Sequence, residues 1–268
     1  MKSLIGVLIT LPSFTFCQIW TTHEVVPMNT RTYQKNNSPI LGLSDLPALL
    51  GFQKKVELGV SIENKYNLKE LTQLSLGFGI PVHSGNLTLN TSLQGSSQYS
   101  SYAGKLSYGM QLNKQTSIGL GMGILLFSLK EHDSEILIQT TAGIAYLINE
   151  KTILAIHYLH NQNIKPTSNT NKIKAEGLTF GIGYNLSKSV FVQIEAKQLQ
   201  QKIRMLPSIN WIPIEKIGFW CGTNGSGQLH LGISSQLKKS TALLGMSNHP
   251  HLGYSLLLQF NHRLDDKN

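Results

Sequence analysis

Between Lys54 and Asn261 about fourteen short segments alternate apolar residues with small or polar ones. Val56-x-Leu58-x-Val60-x-Ile62, Leu74-x-Leu76-x-Phe78-x-Ile80 and Tyr254-x-Leu256-x-Leu258-x-Phe260 show the pattern most plainly. A period of two gives each strand one apolar and one polar face. A soluble sandwich alternates too, so the chemistry of the polar face has to decide between the two. Here that face carries Gly, Ser, Thr and Gln rather than Lys and Glu. The apolar faces therefore point outward into lipid, and the small residues line a hollow.

Charge content supports this reading. Asp, Glu, Lys and Arg make up 14% of the 268 residues, against roughly 25% in ordinary soluble domains. Beyond the N-terminus no apolar run approaches the roughly 18 residues of a spanning helix. A chain that crosses a bilayer without such helices must do so as a closed barrel, because lipid leaves no backbone group unsatisfied.

The first residues read as an export signal, residues 1–17: Lys2, an apolar stretch from Leu4 to Leu11, then Thr15-Phe16-Cys17 ahead of a cut before Gln18. Cys17 is alternatively a lipidation site, although Phe16 stands where a small residue is expected. Without Cys17, Cys221 is the one thiol left, which excludes an intrachain disulfide or a zinc framework. The formal net charge of +9 is dispersed over strand ends, at Lys54, Lys114, Lys151, Lys188 and Lys238 among others. It forms no basic face with aromatic platforms, so nucleic acid is not an expected partner; contact with lipid head groups is.

Residues 18–51 do not alternate and contain Pro27, Pro39 and Pro47. They form an irregular, plug-like segment ahead of a barrel at 52–262, with 263–268 as a tail. The alternation predicts an all-β fold, an antiparallel up-and-down transmembrane β-barrel. Its strands centre on Leu58, Leu76, Leu89, Tyr108, Leu120, Thr140, Ile156, Ile182, Ile194, Met205, Phe219, Leu231, Leu244 and Leu256. Turn chemistry lies at Ser84-Gly85-Asn86, Leu112-Asn113-Lys114, Asn149-Glu150-Lys151, Ser187-Lys188 and Asn224-Gly225-Ser226-Gly227. Asn161 to Lys174 reads as an extended loop. Pro207 and Pro213 interrupt the tenth segment, and the thirteenth is also weakly marked; twelve strands is the fallback count, an even number being usual for such barrels.

Eleven glycines fall on the polar-face parity: Gly59, Gly77, Gly79, Gly109, Gly119, Gly121, Gly123, Gly143, Gly181, Gly183 and Gly232. Strand glycines mark a bend or the close approach of another backbone. Two explanations stand level: a lumen kept clear for residues 18–50 or a ligand, and relief of crowding in a curved wall.

Three stretches resemble one family. Leu46-Pro47-Ala48-Leu49-Leu50-Gly51 is similar to an Asn-Pro-Ala-Gly-Leu element that precedes the first strand. Val60 to Leu71 carries Glu63-Asn64-Lys65-Tyr66-x-Leu68-x-Glu70-Leu71, close to a pattern of uncharacterised members. His249-Pro250-His251-Leu252-Gly253-Tyr254-Ser255 opens the last strand. Together they resemble the FadL-like outer-membrane barrels, a superfamily that also includes the secretion-associated protein PorV. The segment from His251 to Phe260 is also similar to the signal read by outer-membrane assembly machinery. The resemblance implies fourteen strands, an outer-membrane location and a non-enzymatic role. That role is either a passage for small hydrophobic or amphipathic compounds or a scaffold for exported proteins of the type IX secretion kind.

The chemistry-bearing residues form no complete set. His157 and His160 have opposite parity and cannot share a face; His249 and His251 can, but lack a third ligand. No metal or cofactor is expected. Glu63, Lys65, Lys69 and Glu70 gather at the first turn, where exposed ion pairs are worth under about 1 kcal/mol each. Glu195 and Lys197 share an inward parity and are candidates to pair in the lumen. The enzymatic alternative is a barrel-embedded lipid hydrolase built from residues such as Ser255 and His230, although no Gly-x-Ser-x-Gly elbow occurs. A secreted soluble β-sandwich or adhesin is the remaining alternative.

Overall fold

The computed structural model describes Tyr33 and residues 38–130, 134–164, 175–199, 202–224 and 228–264. The expected signal segment and residues 165–174 lie outside these. Fourteen strands follow one another in chain order: β1 (Val56–Asn64), β2 (Thr72–Val82), β3 (Gly85–Gly95), β4 (Tyr99–Gln111), β5 (Thr116–Leu129), β6 (Glu135–Asn149) and β7 (Thr152–Asn163). The second half comprises β8 (Ala175–Asn185), β9 (Val190–Leu199), β10 (Lys202–Ile214), β11 (Ile217–Asn224), β12 (Gln228–Leu237), β13 (Ser240–His249) and β14 (Gly253–Leu264). Each expected centre falls in its own strand. No helix among the described residues is long and apolar enough to cross a membrane.

Every neighbour pair is antiparallel, and β14 returns to β1 with Val56 opposite Leu264 and Asn64 opposite Leu256, closing the barrel. Closure leaves no unpaired edge. The connections at the end that holds the starts of β1 and the finish of β14 are two to four residues long; the longest ones, at 65–71 and 164–174, lie at the opposite end.

The period of two decides the faces. Leu58, Leu76, Leu89, Leu106, Leu120, Met122, Ile144, Phe180, Ile209, Ile233, Leu244 and Leu258 are all exposed on the exterior. Ser61, Ser75, Thr88, Asn90, Ser92, Ser107, Ser117, Thr141, Thr179, Gln193 and Gln259 are buried on the interior. Cys221 lies in register with Ile209 and Leu231 and so shares their outward face.

Three expectations need correction. Pro207 and Pro213 do not break the tenth strand: β10 runs continuously through both. Pairing with β11 begins only at Ser208 opposite Gly222, and Pro213 falls in a register shift between Trp211 and Ile214, so both prolines sit where ladder bonds are dispensable. The loop expected from Asn161 starts later, since β7 continues to Asn163 and pairs with β6 to that residue. The interior is also less uniformly small and polar than expected: Leu137, Ala145, Leu147, Ile153, Ala155, Phe191, Trp220, Leu243 and Leu257 are buried there.

Candidate functional site: the inner wall and the segment seated on it

Much of that inward apolar set is explained by residues 38–52, which lie inside the barrel. A 3-10 turn at Ile40–Leu43 follows Pro39, and a one-turn helix, α1 (Pro47–Leu50), starts on a proline. Proline suits that first position because its fixed φ is helical and it has no N–H to leave unpaired. Ile40, Leu41, Leu43, Leu46, Leu49, Leu50 and Phe52 are buried in one cluster with Tyr33 and with Ala145, Leu147, Ile153, Ala155 and Phe191 of β6, β7 and β9. The barrel thus has an apolar core inside its lumen, at the end where both strand termini lie.

The glycines make room for it. A Cβ at Gly59, Gly77 or Gly79 would strike Ile40 or Leu41. At Gly109 and Gly119 it would strike the backbone of Pro47, and at Gly181 and Gly183 it would strike Tyr33. Seven of the eleven inward glycines therefore face the inserted residues. The other four relieve crowding within the wall: Gly121 and Gly123 beside Lys105, Gly143 beside His157, and Gly232 beneath the Trp220 indole. Both explanations of the glycine pattern hold, each for its own positions.

Polar contacts hold the segment at five points. Lys105 Nζ of β4 lies 2.7 Å from Asp45 Oδ1. Ser107 Oγ donates to the Ser44 carbonyl at 3.2 Å and Ser117 Oγ to that of Ala48 at 2.6 Å. The Ile40 N–H donates to Glu57 Oε1 at 3.2 Å, and Arg263 Nε stands 3.8 Å from the other oxygen of Glu57. Tyr33 donates its hydroxyl to Glu195 Oε2 at 3.1 Å. Burial alone would push the Asp45 carboxyl up, but the charge and hydrogen bond of Lys105, with Lys197 and His157 adding to them, together hold it below the usual carboxylate range. Burial, reinforced by the Glu195 carboxylate, pushes the Tyr33 phenol well above its ordinary value.

The residues singled out from sequence scatter over this frame. Glu195 and Lys197 both face inward, and Glu195 receives the Tyr33 hydroxyl. His157 is buried on the inner face, while His160 lies on the other parity, 3.5 Å from Glu176. His249 Nδ1 accepts the N–H groups of His251 and Leu252 at 3.2 Å each, so this ring closes a turn. Lys65 is buried and donates to Gln73 Oε1 at 3.2 Å. Ser255 and His230 lie on one inward level, but Ser247 of β13 stands between them in register and Ser255 Oγ accepts the Tyr66 N–H at 3.0 Å. No described residue gives Ser255 a base. No group of three or more His, Cys, Asp or Glu among the described residues is placed to hold a metal ion. Tyr66 also packs edge-on against His249, with ring centroids 5.6 Å apart, so the second and third family-like stretches meet at the far end of the barrel.

Sequence reading missed Lys105, Asp45, Ser107, Ser117 and Glu57. The apolar inner patch did leave a signal: Ile144 to Ile148 and Ile153 to Ile156 are apolar on both parities, the pattern of a strand buried on two faces.

No protein-family model matches the chain, and no curated protein matches it. Solved structures do. A FadL homologue from Pseudomonas aeruginosa superposes with a TM-score of 0.60 at 8% identity, covering 90% of this chain and 97% of the other. The toluene transporter TodX of Pseudomonas putida gives 0.58 at 10% identity, with 87% and 94% covered. The toluene transporter TbuX of Ralstonia pickettii gives 0.58 at 8%, with 88% and 98% covered. The chain shares its fold with these barrels. At such identities the likeness extends to architecture alone.

Proposed function

We propose that this protein is a bacterial outer-membrane barrel, exported by residues 1–17, that passes small apolar or amphipathic compounds. Residues 38–52 act as its inner closure at the end bearing the strand termini. The observation that carries this reading is the combination of a continuous apolar exterior with a segment seated on glycines inside. An exterior of exposed Leu, Ile, Met and Phe is costly in water and favourable in acyl chains. A separate segment held by apolar packing and a few polar contacts can be released, whereas side chains of the wall itself cannot.

The short connections at the termini end are those of the periplasmic side in such barrels, so the closure would face the periplasm. The toluene transporters TodX and TbuX, which share the fold, favour an apolar cargo. No contact among the described residues favours the secretion-scaffold reading.

The test is uptake of radiolabelled toluene by vesicles carrying the folded protein, alongside planar-bilayer conductance. Uptake above empty vesicles is the expected result. Absence of both uptake and conductance, in wild type and in a variant with the segment displaced, would overturn the passage. Release of fatty acid from the vesicle phospholipid would point to the hydrolase instead.

A further inference from the structure

The inner wall opposite the seated segment has an apolar patch of its own. Trp220 of β11, Leu243 of β13 and Leu257 of β14 form a second buried cluster, separate from the one around residues 38–52. The Trp220 indole lies over Gly232, its register partner on β12, and its Nε1 is the atom nearest a Cβ built there. His230 is the diagonal neighbour of Trp220 on the same inward face, two positions from Gly232 and opposite Gly222. Diagonal pairs across antiparallel strands lie about 7–8 Å apart, within reach of aromatic side chains. Ser208 of β10 stands opposite Gly222 on the other side. Two glycines thus clear the positions between three polar side chains.

Among the described residues these side chains have no hydrogen-bond partner for their buried polar atoms. Trp220 and His230 are each 3% exposed. Trp220 Nε1, both ring nitrogens of His230 and Ser208 Oγ accept or donate no hydrogen bond. A buried polar group without a partner costs roughly 1–3 kcal/mol, and here three such groups occupy neighbouring register positions of one inner face. Their chemistry defines what would satisfy them. An indole N–H only donates, so it needs an oxygen or another acceptor; imidazole and hydroxyl can each donate or accept. The register neighbours of the three, Asn210, Gly232, Gly222, Ser247 and Gln193, are all uncharged. No described residue directly beside these groups would stabilise an anionic head, and the acid in register with Leu257, Glu63, is offset by Lys65.

We infer that the inner face of β10–β12 is a subsite for a neutral amphipathic compound. Its apolar or aromatic body lies against Trp220, Leu243 and Leu257, and one hydroxyl or carbonyl oxygen is taken by Trp220 Nε1, His230 and, across Gly222, Ser208 Oγ. The inference rests on the lumen being a passage and narrows its cargo: a ring bearing a neutral oxygen is preferred over the bare hydrocarbon and over the matching carboxylate.

The probes are p-cresol, toluene and p-toluate, which share one ring. In full-length protein carrying W20F and W211F, Trp220 is the one remaining tryptophan and reports occupancy by its emission. The expected result is saturable quenching by p-cresol at a concentration about tenfold below that for toluene or p-toluate, the scale of one to two hydrogen bonds. H230L, and independently S208A, should reduce that preference several-fold, with heat-modifiable gel mobility showing that each variant is folded. Equal responses to the three probes, linear quenching without saturation, or a preference that survives in both variants would overturn the subsite. Toluene uptake separates the two readings: uptake without selective p-cresol binding removes the subsite and keeps the passage, whereas selective binding without any uptake removes the passage and leaves a binding site.

Discussion

Lys105 Nζ and Asp45 Oδ1 meet at 2.7 Å across sixty residues of sequence, one on the barrel wall and the other on the segment inside it. Lys105 is 8% exposed at its side chain and Asp45 29%. Docking has taken both charges largely out of water, so each depends on the other. Around this pair the carbonyls of Ser44 and Ala48 are held by wall hydroxyls, while apolar packing against β6 and β7 supplies the non-directional part of the attraction.

Removing one member of the pair should therefore loosen the segment without unfolding the barrel. Asp45→Asn leaves the Lys105 ammonium buried without its counter-charge, which is expected to weaken docking by about 2 kcal/mol, a factor of roughly 30. Amide hydrogen exchange over residues 38–52 should accelerate by about that factor while β4 and β5 stay protected. The double variant Asp45→Asn, Lys105→Met should recover part of the loss, because no charge is then stranded. Unchanged exchange in Asp45→Asn would show that the pair contributes nothing to docking.

The same pair gives docking a pH dependence of definite sign. The Asp45 carboxyl is held below its ordinary value of 3.8, because Lys105, aided by Lys197 and His157, offsets the upward push of burial. A depressed carboxyl stabilises the docked state fully above its undocked value, about pH 4, and loses that contribution as pH falls through the lower docked value. Iodide quenching of a fluorophore at Ser38→Cys, in a Cys221→Ser background, should rise as pH drops below about 4. It should already be high, and flat over that range, in Asp45→Asn. A profile in the variant that matches wild type would assign the acid response to some other group.

The strands were legible because period-two alternation is a local signal, and each of the fourteen centres from Leu58 to Leu256 lies in its own strand. The proline reading of β10 holds at Pro213, which falls in a register shift, but Pro207 stays in the ladder with β9, because where β11 begins to pair is a property of the neighbouring strand. The inner contacts were largely illegible for a related reason. A lone Asp45 and a lone Lys105 carry no local mark, and only closure of the barrel brings them together. The glycines were the exception: Gly109 and Gly119 announced by parity that something approaches the inner wall, without saying what.

Those glycines permit a matched pair of substitutions. A Cβ at Gly119 would run into the Pro47 and Ala48 backbone, which has no flexible end to move aside, whereas one at Gly104 meets nothing within 4 Å. Gly119→Ala should displace α1 and speed hydrogen exchange over residues 47–51, with the barrel still heat-modifiable. Gly104→Ala should leave the segment unchanged and be neutral, or stabilising by about 0.4–1 kcal/mol through the unfolded chain. Equal behaviour of the two alanines would mean that the close approach at Gly119 does not constrain the segment.

The lipid-facing assignment can be tested on a single outward side chain. Met122 lies near the middle of β5, in register with Thr140 and Leu106 on the exterior, and is 56% exposed. On a water-facing surface, replacing it with arginine would be close to neutral, within about 0.5 kcal/mol. At the depth of acyl chains the guanidinium must lose most of its hydration, and the cost on barrel exteriors is about 2–4 kcal/mol near the midplane. Urea unfolding of the protein in phospholipid vesicles should therefore show Met122→Arg destabilised by that amount, with Met122→Leu near wild type. Matching stabilities for Met122→Arg and Met122→Leu would place this face in water and remove the membrane from the account of the fold.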